Sequence, residues 1–392
     1  MSYSFSCYRY ALSILPMPTI GILKECNRLE TRVSAVPNTV KKLISLEGVE
    51  VSVESGLGVP VKISDEAYVR AGATIQSRKE VLSSDFIFSV SPLTHEEVGA
   101  CKKGGLFIGY LDPYNNPELI QGFVSNFVDA VSMEMLPRTT RAQKMDVLSS
   151  QASIAGYASV VVASEVSDKM LPMMMTPAGT ISPARVFVIG AGVAGLQAIA
   201  TAKRMGARVD AFDTRPVVKE QVHSLGAKFL DIDLGETGQT KDGYAKSLTE
   251  EQLGKQREAM KTQCAMSDIV ITTAQLFGRP APIIITEEIV SSMKPGSVIV
   301  DLAAESGGNV AGSSPGEIVT KDNVYIVGAS NFPGRYAHDA SQMYSANLLA
   351  FFTEFYSPEN QAFAFDENDE ILSACYLVRK GKVIHSSLSK TA

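Results

Sequence analysis

What this sequence lacks excludes several classes of protein. Its five cysteines are scattered, with no Cys-x-x-Cys pair and no histidine at ligand spacing, which argues against a metal site and a disulfide framework. It has no lysine- or arginine-rich run and a formal net charge of −6, so we expect no nucleic-acid partner. Apolar runs, such as 160–163 and 282–285, are far shorter than the roughly 20 residues that cross a bilayer. The chain is therefore not expected to span a membrane by itself.

The length and composition predict two globular domains. The chain has 392 residues, of which 45% are hydrophobic and 20% charged, as is typical of soluble proteins with well-formed cores. Residues 1–18 contain one arginine and no acid, which is too little charge for a transit peptide, and their apolar run is too short for a secretory signal. We therefore expect residues 1–18 to be a tail or linker.

The region 19–145 has the pattern of an α/β domain. A helical stretch at 38–46 separates two apolar stretches, and later apolar stretches are bounded by helical segments or by glycine and proline. The predicted strands are 20–23, 49–53, 86–90, 106–109 and 126–131. This first domain has no glycine-rich phosphate loop.

The region 146–336 predicts a second domain with a doubly wound parallel sheet. Small residues at 149–170 predict a long bridging helix, and three prolines and a glycine at 171–183 predict a loop. The polar stretch 231–261 is too long for an ordinary connection and is expected to form a mobile lid followed by a helix. Strands are predicted at 185–189, 208–212, 268–272, 297–301 and 324–327, and helices at 193–205, 217–225 and 286–293.

The end of the chain is predicted to return to the first domain. A helix at 336–356 has no strand of the second sheet after it, and 371–384 has the pattern of a small β-ribbon with a turn at 380–382. The predicted fold class is thus α/β, with two Rossmann-like doubly wound parallel-sheet domains joined by long bridging helices. The predicted domains are 19–145 plus 337–392, and 146–336, the second entered by the bridging helix at 146–170.

A glycine-rich motif opens the second domain. Gly190, Gly192 and Gly195 directly follow a Val-Phe-Val-Ile strand and begin a helix, with Ala191 and Val193 between them. These glycines suit a tight turn, a close approach of the backbone to a pyrophosphate, and close packing of the helix on the strand. A pyrophosphate is expected on the amides at the start of this helix, where the helix dipole favours negative charge.

The next predicted strand ends in an acidic residue that favours NAD over NADP. Asp213 lies 23 residues after Gly190, where a carboxylate accepts hydrogen bonds from the adenosine ribose and repels a 2′-phosphate. Thr214 follows, and then Arg215, whose charge is the main reason in the sequence to consider NADP instead. A strand–helix turn with Asp213 as an ordinary cap is the alternative that needs no nucleotide.

A second polar cluster precedes the bridging helix. Arg138, Arg141, Gln143 and Asp146 lie in the segment PRTTRAQKMD, at the predicted domain boundary. Their side chains suit the orientation of a nicotinamide carboxamide and its ribose by hydrogen bonds. The alternative is a helix cap surrounded by solvated charges.

Five blocks of the sequence resemble the NAD(H)-binding component, domain I, of the proton-translocating NAD(P) transhydrogenases. The related alanine dehydrogenases share the two-domain fold and the early GILKE and ETRVSAVP segments. The blocks are PRTTRAQKMDVLSSQASIAGY, VIGAGVAGLQAIATAKRMGARVDAFDTRP, GYAKSL, TTAQLFGRPAPIIITEEIVSSMKPGSVIVDLAAESGGN and GRYAHDAS.

The resemblance implies roles for individual residues. Arg138, Gln143 and Asp146 fall on the family's Arg-Gln-Asp loop, which holds the nicotinamide and its ribose, with Gln143 in contact with both nucleotides during transfer. Ser149 lies nearby. Tyr244, beside Gly243, falls on the tyrosine of a loop that closes over the nucleotide, and two glutamines fall at further cofactor-contacting positions, Gln256 and Gln275.

The resemblance also implies the activity and the partners. Hydride passes from NADH on this chain directly to NADP⁺ on an NADP(H)-binding component, and a membrane-spanning component couples the reaction to proton translocation. The chain is then a homodimer that is soluble or peripheral on a membrane, on the nucleotide side.

Two other functions remain open from the sequence. A stand-alone alanine dehydrogenase needs a substrate-binding lysine and an acid/base histidine, but the corresponding segments 88–92 and 109–113 contain neither. Arg32 does match the carboxylate-binding arginine of those enzymes. A non-catalytic NAD(H)-sensing module is the third possibility. The four histidines are expected at the surface, at His95, His223, His338 and His385.

Overall fold

The computed structural model describes residues 17–46, 48–233, 235, 249–275 and 277–388. The first part alternates short strands with short helices, and the strands β4 and β5 are buried throughout. The strands are β1 (Thr19–Ile22), β2 (Glu50–Glu54), β3 (Thr74–Gln76), β4 (Phe86–Phe88), β5 (Leu106–Gly109) and β6 (Asp129–Ser132). The helices are α1 (Pro37–Ile44), α2 (Asp65–Arg70), α3 (Arg78–Leu82), α4 (His95–Ala100) and α5 (Pro117–Ser125).

A long helix, α6 (Val147–Val166), connects this part to the next. Its length and apolar composition alone suit a membrane span, but nearly half of the most apolar stretch is buried inside the protein. Gly156 lies against the next long helix, α7 (Val193–Arg204), so closely that a Cβ there would stand 2.1 Å from the carbonyl oxygen of Ala194. The small residues of α6 therefore serve close helix packing in a protein core.

The second sheet has seven strands in the order β11-β10-β9-β12-β13-β15-β14, all parallel except the edge strand β14. A separate two-stranded hairpin, β7–β8, precedes it. The strands are β7 (Met174–Thr176), β8 (Gly179–Ile181), β9 (Arg185–Ile189), β10 (Arg208–Phe212), β11 (Lys228–Phe229), β12 (Ile269–Thr272), β13 (Val298–Asp301), β14 (Ile318–Lys321) and β15 (Val324–Gly328). The further helices are α8 (Lys219–Ser224), α9 (Glu250–Met266) and α10 (Glu287–Ser292).

The strand order creates a topological switch point between β9 and β12. From β9 the chain moves outward through β10 and β11, and then returns to the other side of β9 at β12. Crossovers of opposite direction leave a crevice at the carboxyl ends of these two strands, which is where doubly wound sheets bind ligands. The glycine-rich motif begins at this crevice, directly after β9.

The last part of the chain completes the first sheet. The strands β18 and β19 extend the sheet beyond β6, giving the order β19-β18-β6-β5-β4-β1-β2-β3. Strand β18 is antiparallel to β6, and β19 is antiparallel to β18. The ring of Phe352 on α11 packs against Phe86 and Phe88 of β4. The elements are α11 (Ala337–Phe355), β16 (Tyr356–Ser357), β17 (Ala362–Phe363), α12 (Glu370–Cys375), β18 (Tyr376–Arg379) and β19 (Lys382–Val383).

The predicted α/β fold class with two Rossmann-like sheets is confirmed. Three details differ from the prediction. The predicted loop 171–183 contains the hairpin β7–β8, whose strands are exposed on both faces and so lack the alternation that marks a strand. The predicted ribbon 371–384 begins as helix α12, because Asp369 caps the amides of Ile371 and Leu372. Five other short strands were not predicted from the sequence, namely β3, β11, β14, β16 and β17. The predicted domain boundaries stay a prediction.

Candidate functional site

Each of the three positions of the motif has its own geometric reason to be a glycine. Gly190 has φ +95°, and a Cβ there would lie 2.4 Å from Thr273 Oγ1. A Cβ on Gly195 would lie 1.8 Å from the carbonyl oxygen of Gly190, so helix α7 packs directly on the turn. Gly192 is more open, since the nearest atom to its missing Cβ is Arg215 Nη2 at 3.9 Å. The open side at Gly192, next to the start of α7, is where an anion can approach the backbone.

The Asp213 carboxylate lies beside this turn and is only 9% exposed. Its Oδ2 accepts a hydrogen bond from the amide of Ala191 at 2.8 Å, which ties the end of β10 to the glycine motif. The Arg215 guanidinium also pairs with this carboxylate, and these hydrogen bonds raise the pKa of Arg215 above its ordinary value. Thr214, between them, is partly buried, and Val193, at the start of α7, is 42% exposed.

The Arg138–Gln143 loop lies at the start of α6. Arg138 and Gln143 are both exposed, and Gln143 begins a single helical turn, Gln143–Met145, between the buried side chains of Ala142 and Met145. Asp146 caps α6, since its carboxylate accepts hydrogen bonds from the Ser149 amide at 2.9 Å and hydroxyl at 2.6 Å. The cap considered from the sequence is therefore present, and it fixes both Asp146 and Ser149.

Neighbouring cations in this loop have a structural role. Arg141 pairs with Glu354 at 2.9 Å and with Asp369 at 2.5 Å, and Lys144 pairs with Glu354 at 2.8 Å. Hydrogen bonds from Lys144 and Arg141 lower the pKa of Glu354. These ion pairs join the loop to α11 and to the cap of α12. The backbone that carries Gln143 is thus held from two sides.

Helix α6 joins the loop to the glycine motif. Its first turn holds Asp146 and Ser149, and Gly156, roughly 10 Å further along the axis, packs on Ala194 within the glycine motif's helix. Loops at the carboxyl edges of the two sheets also touch, through Tyr114 and Phe277 with ring centroids 5.8 Å apart. Helix α6 and this loop contact therefore connect the part of the chain that carries the Arg138–Gln143 loop with the part that carries the glycine motif.

The remaining predicted residues are less closely grouped. Gln275 is exposed and donates to the carbonyl oxygen of Leu302 at 2.6 Å, whereas Gln256 is buried on α9. Gly243 and Tyr244 lie outside the described residues.

The sequence analysis missed Asn309, which fixes the loop after β12. Its side chain accepts a hydrogen bond from the Ala274 amide and donates one to the Ala274 carbonyl oxygen. A single asparagine in a glycine-rich loop gave no signal for this role.

Arg32, which was compared above with the carboxylate-binding arginine of the alanine dehydrogenases, is engaged by other side chains of this protein. Arg32 is 9% exposed, pairs with Glu30 at 2.6 Å and donates to the Gln151 side chain at 2.9 Å. Nearby, the Glu25 carboxylate accepts the amides of Val90 and Ser91, and burial raises the pKa of Glu25. Both charged groups are thus engaged by other groups of the protein.

Comparisons with known proteins show the family to which this chain belongs. Residues 21–155 match the family model "Alanine dehydrogenase/PNT, N-terminal domain", and residues 159–386 match "Alanine dehydrogenase/PNT, C-terminal domain". An NAD(P) transhydrogenase alpha subunit of Rhodospirillum rubrum is 45% identical over 379 residues, covering 94% of this chain and 98% of that protein. The solved transhydrogenase structure from Sinorhizobium meliloti is similar with a TM-score of 0.83 at 41% identity, covering 94% of this chain and 99% of that one.

The alanine dehydrogenases are more distant. The enzyme of Methanococcus maripaludis is 26% identical over 383 residues, covering 95% of this chain and 95% of that protein. The family resemblance stated from the sequence is therefore confirmed. This chain belongs to the alanine dehydrogenase/PNT family, and its relatives of higher identity in that family are NAD(P) transhydrogenase alpha subunits.

Proposed function

We propose that this chain is the NAD(H)-binding component of a proton-translocating NAD(P) transhydrogenase. In this proposal it donates hydride from NADH directly to NADP⁺ on a separate NADP(H)-binding component, and a membrane-spanning component couples the transfer to proton translocation. The chain is then soluble or peripheral on the membrane, on the nucleotide side. The observation that supports the proposal is that one helix, α6, begins at the Arg138–Gln143 loop, where Asp146 caps it, and packs through Gly156 on Ala194 of the glycine motif's helix.

The two groups of residues have separate tasks in this proposal. The amides at Gly192 and Val193 hold the diphosphate at the positive end of α7, and Asp213 accepts the hydroxyls of the adenosine ribose. Arg138 and Gln143 orient the nicotinamide, while Asp146 is held in place by Ser149. The bound dinucleotide supplies the hydride. Because hydride passes directly between two nicotinamides, the protein contributes positioning and needs no acid/base pair.

The charges of the first domain support this choice over an alanine dehydrogenase. Oxidising an amino acid requires proton transfer, and the segments 88–92 and 109–113 supply neither lysine nor histidine. Arg32, the matching carboxylate-binding residue, is held by Glu30 and Gln151. An NAD(H)-sensing module remains the second alternative, because it needs only the glycine motif and Asp213.

A stopped-flow measurement of hydride transfer tests the proposed function. This protein and NADH are mixed with the NADP⁺-loaded third component of a transhydrogenase, and L-alanine with NAD⁺ is assayed in parallel. We expect rapid transfer only in the first mixture. Activity only with alanine would establish the dehydrogenase instead, and NADH binding without either reaction would favour the sensing module.

We further propose that the chain forms a homodimer and that the hairpin β7–β8 contributes to its interface. The hairpin projects with both strands exposed, and its apolar side chains are open to solvent, with Met173 59%, Met175 73% and Ile181 45% exposed. An isolated two-stranded hairpin is at best marginally stable in water. Contact with a second copy would cover this apolar surface.

Replacing Met175 with aspartate is expected to raise the dimer dissociation constant by roughly 30-fold. Half-burial of a methionine stabilises by roughly 1 kcal/mol, and a two-fold interface contains the substitution twice. Sedimentation equilibrium over a range of concentrations measures the change. Met343→Asp, on α11 and 48% exposed, is the matched control. Equal association of both variants would exclude the hairpin from the interface.

A further inference from the structure

The side chain that should read the adenosine ribose is already fully engaged in this structure. The Asp213 carboxylate accepts four hydrogen bonds, from the Ala191 amide at 2.8 Å, the Arg215 amide at 2.9 Å, Arg215 Nε at 2.9 Å and Arg215 Nη2 at 2.7 Å. A carboxylate offers about four lone-pair sites. A ribose diol that donates to Asp213 must therefore replace a present donor.

The two donors that can leave are those of the guanidinium. The amides of Ala191 and Arg215 belong to the turn after β9 and the chain after β10, so they move only if the backbone moves. The Arg215 side chain is 16% exposed and Asp213 only 6%, so the guanidinium is the partner nearer to solvent. Its departure frees two acceptor sites, as many as a ribose diol needs.

The guanidinium also lies next to the place where a diphosphate is expected. Arg215 Nη2 is the nearest atom to the missing Cβ of Gly192, at 3.9 Å. Gly192 precedes the first turn of α7, whose amides and dipole attract an anion. A short side-chain rotation therefore carries the positive charge of Arg215 from the Asp213 carboxylate to a phosphate oxygen, which guanidinium binds equally well.

We propose that Arg215 occupies the ribose-binding position of Asp213 until nucleotide binds, and that binding transfers its guanidinium to the diphosphate. This inference rests on the proposed NAD(H) binding. It makes Arg215 a positioning residue that disfavours binding of an adenosine without phosphates and favours a dinucleotide. It also gives Arg215 a role other than recognition of a 2′-phosphate, because the guanidinium moves from Asp213 to the diphosphate.

Binding of adenosine and of ADP to Arg215→Ala separates the two effects. Adenosine has the ribose but no charge, so it reports only competition for Asp213, whereas ADP also reports the charge of Arg215. By isothermal titration calorimetry we expect adenosine to bind about 3- to 10-fold more tightly to the variant, and ADP about 3- to 10-fold more weakly. Adenosine binding that is unchanged or weaker would overturn the proposal.

Two further variants secure this result. Arg208→Ala removes an exposed arginine at the opposite end of β10 and should leave both affinities unchanged. Arg215→Lys retains the charge but not the two-pronged geometry of the guanidinium, so ADP affinity should stay near that of the wild type while adenosine binds more tightly. If Arg215→Ala fails to fold, the adenosine affinity of Arg215→Lys tests the proposal in its place. Loss of adenosine binding in Arg215→Lys would contradict the proposal.

NADPH binding provides an independent test of the transfer of the Arg215 guanidinium. Asp213→Asn removes the charge that holds Arg215 and repels a 2′-phosphate, so we expect NADPH to bind about 10-fold more tightly, with most of the gain lost in Asp213→Asn/Arg215→Ala. Equal NADPH affinity in the single and double variants would overturn the transfer of the guanidinium to phosphate. Wild-type protein that does not bind NADH in a fluorescence titration would overturn the proposed function itself, which distinguishes the two failures.

Discussion

Replacing Gln143 with asparagine is expected to slow hydride transfer by about 100-fold while changing the NADH dissociation constant by less than about three-fold. The substitution withdraws the amide by about 1.5 Å, the length of one carbon–carbon bond. A misplacement of about 1 Å suffices for a 100-fold loss where two reacting carbons must be held in line. Binding is expected to change much less, because Gln143 is exposed and, in the proposed binding mode, the glycine motif and Asp213 hold the other half of the dinucleotide.

The anchoring of the loop makes this experiment specific. The backbone on both sides of Gln143 is fixed by buried Ala142 and Met145, and Arg141 is paired with Glu354, so the shorter side chain cannot be compensated by a shift of the loop. Stopped-flow transfer to the NADP⁺-loaded partner and fluorescence titration with NADH give the two numbers. Gln121→Asn, on the exposed face of α5, is the matched control. Comparable losses of rate and affinity would show that Gln143 acts in binding and not in geometry.

Replacing Gly195 with alanine is expected to weaken NADH binding by at least about 100-fold. The new Cβ would stand 1.8 Å from the Gly190 carbonyl oxygen and 2.9 Å from its carbon, so α7 must move away from the turn. Each amide hydrogen bond to a charged phosphate contributes roughly 1.5–3 kcal/mol, and loss of two is a factor of about 100 or more. Overpacking of this contact should also lower the free energy of unfolding by roughly 1–3 kcal/mol.

The same substitution in an unconstrained helix provides the control. Gly254 lies on α9 with no heavy atom within 4 Å of its missing Cβ. Gly254→Ala should raise the free energy of unfolding by roughly 0.5–1 kcal/mol, because alanine has the higher helix propensity, and leave NADH binding unchanged. NADH fluorescence and urea unfolding measure both variants. A Gly195→Ala protein that binds NADH within about three-fold of wild type would contradict the assigned packing role.

The sequence predicted features that depend on residues close together in the chain. The alternation of strands and helices, the long helix α6 and the turn at Lys380 and Gly381 follow from periodicity and local backbone preference, and the structure has each of them. The glycine motif belongs to the same group, since Gly190 and Gly195 are only five residues apart and contact each other where the turn leads into helix α7. Short edge strands such as β11 and β14 gave no comparable signal, because two to four residues are too few for a period to be recognised.

The structure also joined residues that the sequence treated as competing explanations. From the sequence, Asp213 argued for NAD and Arg215 for NADP, but in the fold they form one hydrogen-bonded pair beside the glycine motif. Asp146 was assigned both a cofactor role and a capping role, and its bonds to Ser149 show the cap. A sequence gives the kind of side chain and its position in the chain, but not which of several partners it contacts.

By itself, the sequence determined the α/β class, the glycine motif with its acidic partner, and the family, because each rests on residue types at fixed short spacings. Only the tertiary structure decided what lies together across long separations. It placed Gly156 against Ala194, returned β18 to the edge of the first sheet beside β6, and tied Arg141 to Glu354. Such contacts depend on how helices and sheets pack as whole bodies, and that packing is set by the summed burial of many side chains rather than by any local pattern.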